Sequence, residues 1–132
     1  MDDCPFCDTA NLTIIAENEL AIAFYDGTPI SNGHSLVIPR RHVSTYFDAS
    51  AEEHEAIHQL ICSLKKYLDK KYNPDGYNIG ANVGHYAGQT VFHFHIHVIP
   101  RYRGDVKDPK GGVRKVIPNR KSRPKSRKKP LH

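Results

Sequence analysis

The chain has 132 residues, 39% of them hydrophobic, with 19 Lys and Arg against 14 Asp and Glu and a formal net charge of +5. That length suggests one domain with enough chain to bury a core without staples, and no apolar run approaches the ~20 residues that span a bilayer. The opening MDDCPFCDTA is acidic and polar, unlike a secretory leader. Three cysteines, two of them close together, do not make a disulfide framework, so a reducing cytoplasm is the expected location.

Charge is unevenly spread. Residues 1–100 carry 6 Lys and Arg against 12 Asp and Glu, whereas residues 101–132 carry 13 against 2. The body is acidic and the end strongly basic. The final stretch NRKSRPKSRKKPLH has almost nothing to bury. Residues 119–132 are therefore expected to be a flexible tail behind a domain spanning 1–118, unless an anionic partner lies on them.

In chain order, the first feature is Cys4-Pro5-Phe6-Cys7, a C-x-x-C with no second pair. Alone it is ambiguous between zinc and redox chemistry. A redox motif belongs near a βαβ pattern, which is absent, and a closed zinc site needs two further ligands. LTIIAE and LAIAFYD read as two strands with a turn near Asn18-Glu19. SLVIP is a third short strand, entered through Asn32-Gly33 and stopped at Pro39.

Ser50 to Tyr72 is the one long helix. Ser50 and Glu53 have capping-box spacing, and Ile57, Leu60, Ile61, Leu64 and Leu68 make an apolar stripe. The helix contains HEAIH, His54 to His58, which matches the pattern of zinc peptidases. It stands in the acidic first turns and no downstream ligand is marked out, so both histidines read as flanking the stripe at the surface. Cys62, alone on the helix, is expected to be a small buried side chain. Asn73 to Gly76 ends the helix. YNIGANV is a strand, GHYAGQ a loop, and VFHFHIHVIP a final strand. Strands, helix, then strands with short connections favour an α+β domain with an antiparallel sheet.

VFHFHIHVIP places His93, His95 and His97 at alternate positions, with apolar residues between. On a strand the three imidazoles share one face and the apolar residues face a core. Incidental surface histidines are one explanation. A catalytic metal is another: two histidines at i and i+2, with a third ligand from elsewhere, can hold zinc and its activated water.

The longer segment NVGHYAGQTVFHFHIHVIPRY resembles the histidine-triad (HIT) family. Asn82, Gly84, Gly88, Gln89, Val91 and the three histidines followed by Val98-Ile99 carry the resemblance. Upstream, NGHSLVIPRRH (Asn32 to His42) is similar to the family's other signature. The likeness spans roughly residues 4–117, and Arg101 to Pro118 resembles the end of bacterial and archaeal-type members that hydrolyse dinucleoside polyphosphates.

The resemblance implies an α+β, HIT-like antiparallel sheet of about five strands with one long helix, and a homodimer in which two sheets join. It implies that His95 is the nucleophile, forming a covalent nucleotidyl-histidine at the α-phosphate that water then hydrolyses. Its other nitrogen must then donate to an acceptor, such as a backbone carbonyl. His97 would contact phosphate and help the leaving group as proton donor. Gln89 and Thr90 would hold nonbridging oxygens, Asn82 would face the phosphate, and Asp26 would accept the ribose hydroxyls. The plainer alternative for Asp26 is a turn residue before Gly27. Val91 and His34 join the implied substrate contacts, and Gly84 and Gly88 let the loop backbone approach the phosphate. Arg101 and Arg103 could attract a polyphosphate chain.

The resemblance further implies a structural zinc on Cys4, Cys7, His42 and His93. His34 is an alternative fourth ligand, or a hydrogen-bonding partner of the triad. Removing such a zinc should lower stability more than it alters the chemical step. Dinucleoside polyphosphates are the implied substrates, with nucleoside phosphoramidates close behind. Two other classes stay open: a nucleic-acid-binding protein that uses the basic tail, and a regulatory nucleotide binder with little turnover.

Overall fold

The computed structural model describes residues 3–118. Strand β1 (Ile14–Glu17) turns back at Asn18 into β2 (Ala21–Tyr25). Asn18 builds the turn: its Oδ1 accepts the N–H groups of Leu20 and Ala21 at 3.1 and 2.9 Å. A short polar side chain that imitates a backbone carbonyl suits such a turn. Then come β3 (Ser35–Pro39), helix α1 (Ala51–Tyr72), β4 (Gly76–Gly80) and β5 (Ile96–Arg101). The five strands form one antiparallel sheet in the order β1-β2-β3-β5-β4. The architecture is the expected α+β one.

Helix α1 starts where the sequence says. Ser50 Oγ accepts the Glu53 N–H at 3.1 Å, and the Glu53 carboxylate accepts the Ser50 N–H at 2.8 Å. Glu53 is only 4% exposed, because Arg41 also donates to it at 2.7 and 3.0 Å. Asn73, left-handed at φ 50°, ends the helix.

Strand alternation sorts side chains onto two faces. Ala21, Ala23, Val37 and Val98 pack with Phe94 and Val43 against Ile57, Leu60, Leu64 and Leu68 of α1. Each fully buried Leu or Ile stabilises by about 1.5–3 kcal/mol relative to exposure, so this stripe anchors the helix. On the other face Ile22, Phe24, Leu36 and Ile38 are covered by Phe6 and Leu12 from the N-terminal segment. His97, paired with Leu36 across β3 and β5, shares that second face.

Three local readings need correction. The histidine strand begins at Ile96, not Val91. His93 and His95 lie in its extended approach, where the Phe94 N–H bonds to the Val43 carbonyl at 2.7 Å instead of joining the ladder. Alternation survives, because Phe94 still enters the core while His93 and His95 do not face α1. Strand β4 ends at Gly80, before Ala81–Val83. Cys62 is exposed, on the solvent side of α1. The basic stretch 119–132 lies outside the described residues. Among those described, no helix is long and apolar enough to cross a membrane.

Candidate functional site

Cys4 and Cys7 sit on one tight turn, closed by the Cys7 N–H on the Cys4 carbonyl at 3.2 Å. Their sulfurs meet two distant imidazoles. His93 Nδ1 is 3.5 Å from each Sγ, and His42 Nδ1 is 3.3 Å from Cys7 Sγ. All four ligand atoms lie within 4.8 Å of one another. Tetrahedral zinc, with sulfur at ~2.3 Å and nitrogen at ~2.1 Å, would hold S and N about 3.6 Å apart. The four residues fit that ion. His93 Nε2 lies 2.9 Å from the Pro39 carbonyl. A carbonyl can only accept, so the His93 proton sits on Nε2 and the Nδ1 lone pair faces the sulfurs.

The same reasoning applies to His95. Its Nδ1 is 2.8 Å from the His93 carbonyl. The proton is therefore on Nδ1, and Nε2 is left with its lone pair. The ring is bounded by Phe6, at 5.1 Å and 84°, and by His97, at 5.2 Å and 68°.

His97 is set the other way round, through His34. The Ile30 N–H donates to His34 Nδ1 at 3.2 Å. The His34 proton is thus on Nε2, which lies 3.0 Å from His97 Nδ1 and 3.3 Å from Asp26 Oδ2. His97 accepts at Nδ1 and carries its own proton on Nε2. Burial, followed by His95 and His34, holds the His97 imidazole down to about 4 against a partial pull upward from Asp26. Burial likewise pushes His34 below the ordinary range. Both rings are neutral at neutral pH.

Asp26, His34 and His97 also bring three ligand atoms within 4.8 Å. Here the His34 Nε2 proton occupies the direction a metal would need, so the group is a hydrogen-bond relay. The catalytic-zinc alternative for the strand histidines finds no common point. His93 turns to the cysteines, His95 to a carbonyl and His97 to His34. His34 also lies apart from the Cys4, Cys7, His42 and His93 cluster and hydrogen-bonds to His97 instead.

An open groove of about 500 Å³ runs beside His97, walled by Asp26, Thr28, Ile30, Asn82, Val113 and Val116. Asp26 Oδ1 also accepts the Thr28 N–H at 2.8 Å, so it makes the turn and faces the groove at once. Thr90 and Val91 line a different hollow of about 410 Å³, together with Asp3, Cys4, His42 and Phe92. Gly84 and Gly88, at φ 93° and 97°, bracket the intervening loop in a conformation that favours glycine.

Gln89 departs from expectation. It is 2% exposed, and its Oε1 accepts the Gly84 N–H at 2.9 Å. Its Nε2 donates to the carbonyls of Ser44 and Val91 at 2.7 and 3.1 Å. The side chain braces the loop and is not available to a phosphate oxygen. Arg101 is likewise engaged, donating to both Asp105 oxygens at 2.8 and 2.9 Å. The HEAIH histidines do not converge: the His54 ring packs against Tyr46 and Phe94 at 4.5 and 5.7 Å, and His58 is exposed. Sequence reasoning missed Phe6, whose place between two cysteines was the available signal. It also missed the Pro39 carbonyl and Ile30 N–H, which leave no mark in a sequence.

A family profile for the HIT domain matches residues 9–104. An uncharacterized HIT-like protein of Mycoplasma genitalium is 41% identical over 103 residues, covering 75% of this chain and 73% of that protein. The adenosine 5'-monophosphoramidase of Schizosaccharomyces pombe is 37% identical over 102 residues, with 74% of each chain covered. The crystal structure of a Zn-bound histidine triad family protein from Mycobacterium smegmatis superposes with a TM-score of 0.73 at 34% identity, covering 79% of this chain and 78% of that one. Fold, triad and sequence therefore agree, and the chain belongs to the HIT family.

Proposed function

We propose that this protein is a nucleotide hydrolase or transferase that cleaves at the α-phosphate through a nucleotidyl-His95 intermediate. The observation that carries this reading is the opposite protonation of neighbouring rings. His95 presents a bare Nε2, and His97 presents an Nε2–H. One is built to attack and the other to donate.

In the first step the His95 Nε2 lone pair attacks the α-phosphorus. The bond from phosphorus to the leaving group breaks, and its electron pair departs with that group. His97 Nε2–H donates a hydrogen bond to the departing atom. A polyphosphate leaves as an anion and needs no more. An amine must gain a full proton, so phosphoramidates are the harder substrates for a His97 that stays neutral. In the second step water adds to the same phosphorus. The P–N bond breaks, its pair returns to His95, and the surplus proton goes to solvent. On the groove wall Asp26 accepts the ribose hydroxyls and Asn82 donates its amide N–H to the phosphate, with Gly88, Thr90 and Val91 on the loop side. Gln89 acts by bracing that loop.

When bound at Cys4, Cys7, His42 and His93, zinc supplies a structural tie and takes no part in the bond changes. The working domain is residues 1–118, with 119–132 an accessory. Among the described residues β4 is a terminal strand of the sheet, a position that suits a homodimer in which two sheets join. The S. pombe phosphoramidase supports a nucleotide substrate, and dinucleoside polyphosphates such as diadenosine tetraphosphate lead the substrate classes.

The test is product analysis with diadenosine tetraphosphate, comparing wild type with His95→Ala. AMP formation by wild type, its loss in the variant, and a labelled nucleotidyl-protein trapped on acid quench are expected. Turnover by His95→Ala that a chelator abolishes would instead favour a catalytic metal.

A further inference from the structure

Phe6 is the one bulky side chain carried between Cys4 and Cys7. Its ring lies 5.1 Å from His95 at 84°, 5.3 Å from Phe24 at 63° and 6.1 Å from His93 at 66°. We propose that Phe6 is a positioning residue for the His95 imidazole, and that the Cys4–Cys7 turn serves to deliver it. The proposal rests on His95 being the nucleophile.

The argument starts from what holds His95. Among the described residues its ring makes one hydrogen bond, from Nδ1 to the His93 carbonyl. A single bond at one corner fixes the tautomer but leaves the ring able to swing about that corner. Two walls stop the swing, His97 on one side and Phe6 on another. The His97 wall is anchored in β5 and tied to His34. Phe6 belongs to no strand itself and rests on Phe24 of β2. Its segment is held by the cysteines on either side, whose sulfurs reach His93 and His42.

Both restraints on His95 thus trace to the same cluster. His93 offers its carbonyl to His95 and its Nδ1 to the sulfurs, while the turn offers Phe6. A nucleophile displaced by about 1 Å can lose on the order of 10²-fold in rate. A loop clamped at both ends is a means of holding an aromatic wall to that tolerance.

A simpler role is available: Phe6 also covers Ile22, Phe24, Leu36 and Ile38. Cover alone would affect stability and leave His95 geometry unchanged. The experiment separates the two with Phe6→Ala and Phe6→Leu in the full chain, each carrying measured zinc. Nitrogen-15 NMR of the imidazoles reads the His95 tautomer and its line width. Single-turnover kinetics with diadenosine tetraphosphate reads nucleotidylation.

For Phe6→Ala the expected result is roughly a 10- to 100-fold slower nucleotidylation, with KM little changed and the His95 signals broadened or split between tautomers. Phe6→Leu should fall between it and wild type. Should Phe6→Ala fail to fold, Phe6→Leu carries the comparison. Stripping zinc from wild type should reproduce the Phe6→Ala signature, and stripping it from Phe6→Ala should cost less than it costs wild type, because only the His93 restraint is left to lose. Unchanged tautomer and rate with only a lower Tm would overturn the proposal. So would a chelator effect equal in wild type and Phe6→Ala. If wild type forms no nucleotidyl-protein, the function proposed above fails, while the NMR comparison still decides whether Phe6 holds the ring.

Discussion

Two clusters in this protein are made of much the same material. Cys4, Cys7, His42 and His93 bring their ligand atoms within 4.8 Å of one another, and so do Asp26, His34 and His97. By composition and spacing either could hold a metal. They differ in one backbone group apiece. At the first, the Pro39 carbonyl takes the His93 Nε2 proton and leaves Nδ1 bare toward the sulfurs. At the second, the Ile30 N–H fills His34 Nδ1 and leaves a proton on Nε2, facing Asp26 and His97. A carbonyl makes a ligand and an amide makes a donor. Imidazole has two nitrogens and, when neutral, one proton to share between them.

The comparison can be broken most decisively at the ring between the clusters. His95→Ala should lower AMP formation by roughly 10³-fold or more. Turnover that survived would mean that neither cluster serves a covalent step.

Next come the cysteines. Wild type is expected to carry one zinc per chain by elemental analysis, and Cys4→Ser or Cys7→Ser should lower that toward none with a clear fall in Tm, because metal binding at such a site contributes folding free energy directly. Asp26→Asn and His34→Asn should leave zinc content at one by elemental analysis. Loss of metal from either of those would erase the distinction.

His34→Asn should lower kcat by about 10- to 100-fold with little change in KM. It removes the proton that fixes His97 as an Nε2–H donor. Imidazole NMR should then show His97 with mixed tautomers. An unchanged His97 tautomer would mean that the relay is incidental.

The last comparison is pH dependence. The folded-state pKa of His97 is lowered to about 4 from an ordinary 6.5, chiefly by burial. Between those values the unfolded chain binds the proton that the folded ring refuses. The contribution is fully present above pH 6.5 and is lost as pH falls through 6.5 toward 4, on the order of 3 kcal/mol for the shift. His34 is pushed in the same direction. Denaturant titrations of wild type should show stability falling across this window, and His97→Asn should show a shallower fall. The contribution of His97 to polyphosphate turnover should be lost near pH 4, where the ring gains a second proton and can no longer accept from His34.

Much of the fold was legible in the sequence because its causes are short-ranged. Strand alternation, the Ser50–Glu53 box, the Leu60–Leu64–Leu68 stripe and the Asn73 stop act over a few residues, and each appears where the pattern placed it. The Cys4–Cys7 pair and the row at His93, His95 and His97 could be read as chemistry for the same reason. Where the sequence misled, a distant partner intervened. Gln89 was available to a phosphate until Ser44, Gly84 and Val91 claimed its amide. Cys62 was small enough for the core, but the helix turned it outward.

The sequence by itself determined that three imidazoles would share a face, that one helix would back the sheet, and that two thiols would stand close together. Tertiary structure decided which nitrogen of each imidazole holds a proton. His93 answers to Pro39, 54 residues away, and His97 answers to His34, 63 residues away. A side chain's periodicity is a property of its own backbone, whereas its tautomer is set by whichever donor or acceptor the fold brings to the other side of the ring.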